Sequence, residues 1–505
     1  MRTNTHDLDK SFFGHPEGLS TLFFTEMWER FSFYGMRAIL ILFMVSPAES
    51  GGMGLSVASA AAIYALYTAS VYLACLPGGW VADQITGQKN ATLLGAIVIM
   101  FGHLALAIPS EVTFYLGLFL LVAGTGLLKP NISIMVGQLY ADNDYRRDSG
   151  YSIYYMGINI GAFLSPLVCG WLAQDESFKV MLDNCGIGAN ASWHFGFGAA
   201  ALGMAFGILK YLRGQDFLKN IVWERPPEIA LMESQRRFRL CVAFLLAFSL
   251  LVWGLFEVGT LSVTVESLGN FFGLFLLVIT LTFFWWLYTS AQWTPKERKD
   301  LKMMIVLFVG ATIFWSLYEQ GGSTLNLFAE RNTSTVFFGY NFPASWMQSL
   351  NPIYIFLVLA PAFAFLWMRL GSREPSSIVK FTIGLGFMCA GWTVMVAAAI
   401  NAGEGNLVSP LWLAVMYFLL AAGEMCLSPV GLSAISRLAP TKIAGLTMGV
   451  WFLASSIGSY IGGRVAGFYD TFSLVQLFAT LALVALVATL VFSLLAKPLN
   501  QALKS

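Results

Sequence analysis

Residues Leu19 to Met44 read L-S-T-L-F-F-T-E-M-W-E-R-F-S-F-Y-G-M-R-A-I-L-I-L-F-M. A bilayer core about 30 Å thick is crossed by roughly 20 helical residues, so this run is long enough to span it. It is too long for the apolar region of a cleavable leader and it contains charges, so it is read as a first membrane span. At 100° per residue, Glu26, Glu29, Arg30, Phe33 and Arg37 fall within an arc of about 100°, with Tyr34 at its edge. The other faces are Leu, Ile, Phe, Met and Ala. One polar stripe on an otherwise apolar helix inverts the pattern of a soluble amphipathic helix. The stripe must therefore face an interior or a watery cavity, not lipid.

The rest of the chain agrees with that environment. Of its 505 residues 57% are hydrophobic and 11% charged, with a mean hydropathy of +0.69. Soluble domains carry roughly a quarter charged residues, so the main solvent here is lipid. The net charge of +1 argues against nucleic acid as a partner. Five of the six cysteines (Cys75, Cys169, Cys241, Cys389, Cys426) lie in apolar runs, and Cys185 alone falls in an outside loop. They read as small apolar residues, not as a disulfide framework.

Scanning outward with the same ruler gives fourteen spans. Six run near 19–44, 57–82, 91–108, 113–138, 149–173 and 193–212. A pair follows near 239–257 and 268–289, then six near 303–323, 350–369, 379–400, 409–434, 443–468 and 473–496. With the N-terminus inside, 23 of the 29 Lys and Arg fall in inner segments, and Lys179, Arg331 and Arg464 fall outside. The remaining three, Arg30, Arg37 and Lys129, lie within spans. The expected fold is an all-α polytopic membrane protein with both termini inside. Residues 14–213 form one six-helix bundle and 302–498 another. Between them, 214–301 hold an inner loop, two extra helices and a linker. Six-plus-six is the plan of transporters with a site at the bilayer midplane.

Seven charged residues stand inside spans: Glu26, Glu29, Arg30, Arg37, Lys129, Glu319 and Glu424. Facing lipid, they would oppose insertion by roughly 20 kcal/mol. Structural ion pairs that fix helix register explain any one of them. The whole set comes from several spans in both halves, which fits a central site lined by both signs of charge. Such a site suits a zwitterion, and a glutamate that takes a proton releases its cationic partner. Near misses carry no such weight. Gly124-x-Gly126-x-x-Lys129 lacks the Ser/Thr of a phosphate loop and lies in an apolar helix. His6, His15, His103 and His194 have no metal-ligand spacing, so no metal or cofactor is expected beyond a coupling proton.

Several motifs together resemble the proton-dependent oligopeptide transporter family of the major facilitator superfamily. Glu26 to Gly35, E-M-W-E-R-F-S-F-Y-G, is similar to E-x-x-E-R-F-x-Y-Y-G. Gly124 to Asn131 reads G-T-G-L-L-K-P-N, and Tyr154 to Gly161, Y-Y-M-G-I-N-I-G, is similar to F-Y-x-x-I-N-x-G. W-S-L-Y-E-Q from Trp315, L-N-P from Leu350, G-E-M-C-L-S-P from Gly423, and Trp451 match in the second half. The resemblance implies proton coupling by Glu26, Glu29 and Arg30. It also implies gate pairs Arg37–Glu319 and Lys129–Glu424. A pocket of Tyr34, Tyr72, Asn159, Trp315, Asn351, Trp451 and Ser455 would hold the peptide, with Glu424 receiving its amino terminus. Phe33 departs from the family tyrosine and removes a hydroxyl. Gln84 and Gln88 stand where the loop between the second and third helices is usually basic.

The expected activity is symport of protons with di- and tripeptides by alternating access in a bacterial inner membrane. The rival is a carrier of the same superfamily for a non-peptide solute, nitrate or a drug-like anion or zwitterion. An enzyme is not expected, because no nucleophile–base arrangement appears. Oligomeric state, proton stoichiometry and peptide preference are not legible.

Overall fold

Inside a bilayer, backbone N–H and C=O groups have no water to bond, so a spanning chain must be helical. A computed structural model describes residues 11–141, 144–223, 225–258, 264–289, 293–337, 339–438 and 447–504. The first helices are α1 (Glu17–Val45), α2 (Val57–Val81), α3 (Gln88–Leu106), α4 (Glu111–Gln138) and α5 (Arg147–Gln174). A short α6 (Glu176–Asn184) leads to α7 (Ser192–Arg213). The middle pair is α8 (Glu228–Glu257) and α9 (Val265–Thr289). Next come α10 (Pro295–Tyr318), α11 (Thr324–Asn332), a hairpin of β1 (Val336–Phe337) and β2 (Tyr340–Asn341), and α12 (Leu350–Tyr354). The series ends with α13 (Ala360–Leu370), α14 (Ser377–Asn401), α15 (Leu411–Leu438), α16 (Thr447–Ala466) and α17 (Leu474–Lys504).

Each expected span lies over one helix except two: the ninth runs past α10 into a 3-10 turn at Glu319–Gly322, and the tenth covers α12 and α13 joined by a π-helical stretch at Ile355–Leu359. The start of the span near 443–468, His6, and Arg2, Lys10 and Lys442 of the inner count lie outside the described residues. Ten helices among the described residues are long and apolar enough by themselves to cross a bilayer. Polar α1 is not among them, since it carries Glu26, Glu29, Arg30 and Arg37. Boundaries shift where local signals outrank hydropathy. α10 begins at Pro295 because Thr294 and Glu297 form a capping box and Pro295 occupies the first turn.

Packing follows small residues. A Cβ at Gly124 of α4 would lie 2.7 Å from the Gly95 carbonyl of α3, and one at Gly102 would lie 3.1 Å from the Gly117 carbonyl. These glycines let the two backbones touch, as in other membrane helix pairs. α1 packs on α5 and α7, while α14 packs on α15 and α17, and α10 on α16. α9 lies against α2 and α16, where Tyr460 donates to the Gly269 carbonyl at 2.8 Å. Its other face, with Leu274, Leu277, Leu281 and Trp285, is exposed, so α9 sits at the outside of the packed helices.

The first and last groups of helices meet along α2 and α16, where Ser456 donates to the Ala69 carbonyl at 2.8 Å. More bonds join them at the end where α1 finishes. Asn326 donates to the Ala38 carbonyl at 2.7 Å, Ser349 to the Phe163 carbonyl at 2.8 Å, and Trp346 to the Leu167 carbonyl at 3.0 Å. Tyr340 donates to Asp175 at 2.6 Å.

Candidate functional site

The polar stripe of α1 is buried. Arg30 is held by two carboxylates from its own helix. Its Nε lies 3.2 Å from Glu26 Oε1, its Nη2 donates to Glu29 Oε1 at 2.6 Å, and its Nε also reaches Glu29 Oε2. All three residues are at most 3% exposed. Glu26 and Arg30 stand one turn apart, the spacing at which opposite charges meet on a helix. The guanidinium also stacks over the Phe33 ring, 5.1 Å from its centroid. The aromatic face of Phe33 therefore still serves the cation, although no hydroxyl is present.

About two turns beyond Arg30, Arg37 crosses to the other half and meets Glu319 at 3.0 Å. Arg37 Nε also donates to the Tyr64 hydroxyl at 2.8 Å. Glu319 reaches it because α10 stops at Tyr318 and Glu319–Gly322 form a 3-10 turn before α11. A Cβ on Gly322 would lie 2.6 Å from Arg37 Nε, so only glycine leaves room for this pair. Broken helices at membrane depth are tolerated where they line a cavity or are buried in protein.

Between the halves, one cavity is lined by Tyr34, Arg37, Asn159, Asn351 and Glu424 together. Of the residues expected in the pocket, Tyr34, Asn159, Asn351 and Glu424 come together, and the expected gate residue Arg37 joins them. Tyr318 donates to Glu424 at 2.5 Å, and its hydroxyl oxygen lies 3.2 Å from Asn351 Oδ1. Trp315 adjoins this wall, edge-on to Tyr318 at 5.3 Å and to Trp451 at 6.4 Å. Ser455 bonds back to the Trp451 carbonyl at 3.1 Å and, like Tyr72, is not among the residues lining the cavity.

The expected Lys129–Glu424 pair is not made in this conformation. Lys129 instead lies 4.3 Å from the centroid of the Tyr72 ring, while Glu424 is held by Tyr318. The physical reason is that each has a closer local partner, an aromatic face for the ammonium and a hydroxyl for the carboxylate.

Reading the sequence missed Tyr155, Tyr318, Gln348 and Tyr417, which also line the cavity. Tyr155 stands four residues before Asn159, so both occupy one helix face, and Tyr318 stands three after Trp315. Those spacings were available in the quoted motifs. Gln348 lies in the 3-10 stretch Ala344–Ser349, whose sequence has no helical period to signal it.

Comparison with known proteins places this geometry. Residues 89–484 match the sequence model of the POT family, PTR2. The chain is 39% identical over 482 residues to peptide transporter YePEPT of Yersinia enterocolitica subsp. palearctica serotype O:3 (strain YE-P4), spanning 92% of this chain and 91% of that one. It is 36% identical over 503 residues to a di-/tripeptide transporter of Lactococcus lactis subsp. cremoris, spanning 98% of each. Its fold matches a crystal structure of peptide transporter POT in complex with sulfate with a TM-score of 0.89, at 38% identity over 98% of this chain and 97% of that one. The chain is a multi-pass membrane protein that belongs to the POT family of transporters.

Proposed function

We propose that this protein imports di- and tripeptides together with protons by alternating access. The observation that carries this reading is the cavity between the halves, where Glu424 and Arg37 present opposite charges among Tyr34, Tyr155 and Tyr318. A peptide is a zwitterion with variable side chains. A carboxylate fits its ammonium, a guanidinium its carboxylate, and aromatic walls accept different side chains. Asn159 and Asn351 supply bonds for the peptide backbone.

Residues 14–213 and 302–498 are the two moving bodies in this account, and 214–301 connect them. Both termini lie in the cytoplasm of a bacterium, in its inner membrane, which places the Arg37–Glu319 pair on the outer side. That pair closes the outer gate in the conformation described, and Lys129 with Glu424 closes the inner gate in the opposite one. Glu26, Glu29 and Arg30 carry the coupling proton: a neutral Glu26 loosens its hold on Arg30. An inward proton supplies about 2.3 kcal/mol per 100 mV of inside-negative potential, roughly a fifty-fold concentration of substrate.

Competition tests the substrate class. Uptake of labelled dialanine by proteoliposomes should be displaced by unlabelled di- and tripeptides and untouched by nitrate. Displacement by nitrate without peptide uptake would move the protein to a non-peptide solute.

A further inference from the structure

α5 carries two adjacent tyrosines that serve different sites. Tyr155 lines the cavity between the halves. Tyr154 is buried on a helix packed against α1, and its hydroxyl lies within reach of Glu26 of α1 and of Ser133 of α4. The seam is tight on both sides of that contact. A Cβ at Gly157 would lie 2.9 Å from the Phe23 ring, and one at Gly161 would lie 3.0 Å from the Phe31 nitrogen. Within it, both the Tyr154 hydroxyl and Glu26 Oε2 are buried without a hydrogen-bond partner among the described residues. Glu26 Oε1 is engaged by Arg30. The charged groups acting on Glu26 are Arg30 and Glu29 from its own helix and Lys129 from α4, and Tyr154 is the group that α5 contributes.

A buried donor and a buried acceptor left unpaired are each costly, and pairing them with one another removes both costs. We propose that Tyr154 is a positioning residue for the proton step. Its hydroxyl donates to Glu26 Oε2 while that carboxylate is ionised and is released when Glu26 takes up a proton. Proton occupancy on α1 is thereby passed to α5, which carries Tyr155 and Asn159 into the substrate cavity. The motif this segment resembles has phenylalanine at this position, so the hydroxyl adjusts the working pH of this chain and is not needed for coupling itself. The inference rests on Glu26 being a proton carrier, as proposed above.

The test uses full-length protein in proteoliposomes: the parent, Tyr154→Phe, Glu26→Gln and the double variant. Dialanine uptake at constant membrane potential and dialanine counterflow are followed against pH. The parent is measured first, and its failure to use a proton gradient would overturn the symport reading and this inference together. With the parent active, the alkaline limb of Tyr154→Phe uptake should move up by about one pH unit, because the lost bond is stronger to the ionised carboxylate than to the neutral acid. In the Glu26→Gln background the same substitution should leave the counterflow profile in place. A Tyr154→Phe profile that overlays the parent, or a shift that survives in Glu26→Gln, overturns the assignment while leaving the symport reading intact.

Discussion

Replacing Glu319 with Gln removes the charge that faces Arg37 and keeps the shape. Arg37 is 6% exposed and Glu319 2%, so the guanidinium would be left buried with the Tyr64 hydroxyl at 2.8 Å as its main partner. Removing one member of a buried ion pair costs about 3–5 kcal/mol. The amide oxygen of Gln can still accept one hydrogen bond, which returns about 1–2 kcal/mol and leaves a loss near 2 kcal/mol. The loss falls on the conformation in which α1 and α10 meet, and about 2 kcal/mol is roughly a thirty-fold shift away from it. Other bonds between the halves remain, among them the neutral ones from Asn326, Trp346, Ser349 and Ser456 and the one from Tyr340 to Asp175, each worth about 1 kcal/mol or more. The closed conformation should therefore be weakened and not abolished.

A cysteine at Ala162, which lines the cavity, reports that shift. In a background without the exposed Cys185 and Cys241, a membrane-impermeant maleimide applied from outside should label Ala162→Cys about thirty times faster when Glu319→Gln is present. An unchanged rate in monodisperse, folded protein would refute the assignment of this pair as the outer gate.

Other expectations follow from single contacts. Tyr318→Phe removes the 2.5 Å bond to Glu424 and the hydroxyl that lies 3.2 Å from Asn351. Loss of a charge-assisted bond of about 1.5–3 kcal/mol should raise the KM for dialanine at least about ten-fold, and an unchanged KM would show that Tyr318 does not orient the carboxylate. Lys129→Gln should cut uphill uptake by about ten-fold or more while counterflow persists, because the inner gate loses its cation; equal loss of both would point to a structural role for its seat on Tyr72. On the face where α1 begins, His15 Nδ1 pairs with the Tyr140 hydroxyl at 2.9 Å, and burial together with the Arg146 guanidinium lowers its pKa below the usual 6.5. The unfolded chain then binds more protons than the folded one between the lowered value and 6.5. Stability is full above about 6.5 and falls as the pH drops through that window. Thermal unfolding of purified protein should show this loss between about pH 7 and 5, and His15→Gln should flatten it; an equal slope in both proteins would remove His15 from the account.

Much of the fold was legible because lipid penalises charge. The arc from Glu26 to Arg37 could face only an interior, and the clustering of Lys and Arg in alternate loops ordered the helices. What was not legible depends on chain breaks and cross-helix neighbours. The amphipathic α6 carries Lys179, which reads as loop by hydropathy, yet Phe178 and Leu182 are buried. The turn at Glu319–Gly322 breaks the ninth span at the residue that crosses to Arg37, and its need for Gly322 appears only once Arg37 is seen against it. In the site, charged residues announced themselves by their cost, whereas Tyr155 and Tyr318 did not, because a tyrosine in a membrane helix is unremarkable. The Lys129–Glu424 pair is not made here, and in the proposed cycle it forms in the opposite conformation; a motif names such residues without saying which state they meet in.

The central claim is that a proton gradient drives peptide accumulation, and uptake of labelled dialanine into proteoliposomes with and without an inward proton gradient tests it most directly. Accumulation above equilibrium that collapses with a protonophore is the predicted result. Uptake that only equilibrates and ignores the gradient, from protein shown to be folded, would contradict it.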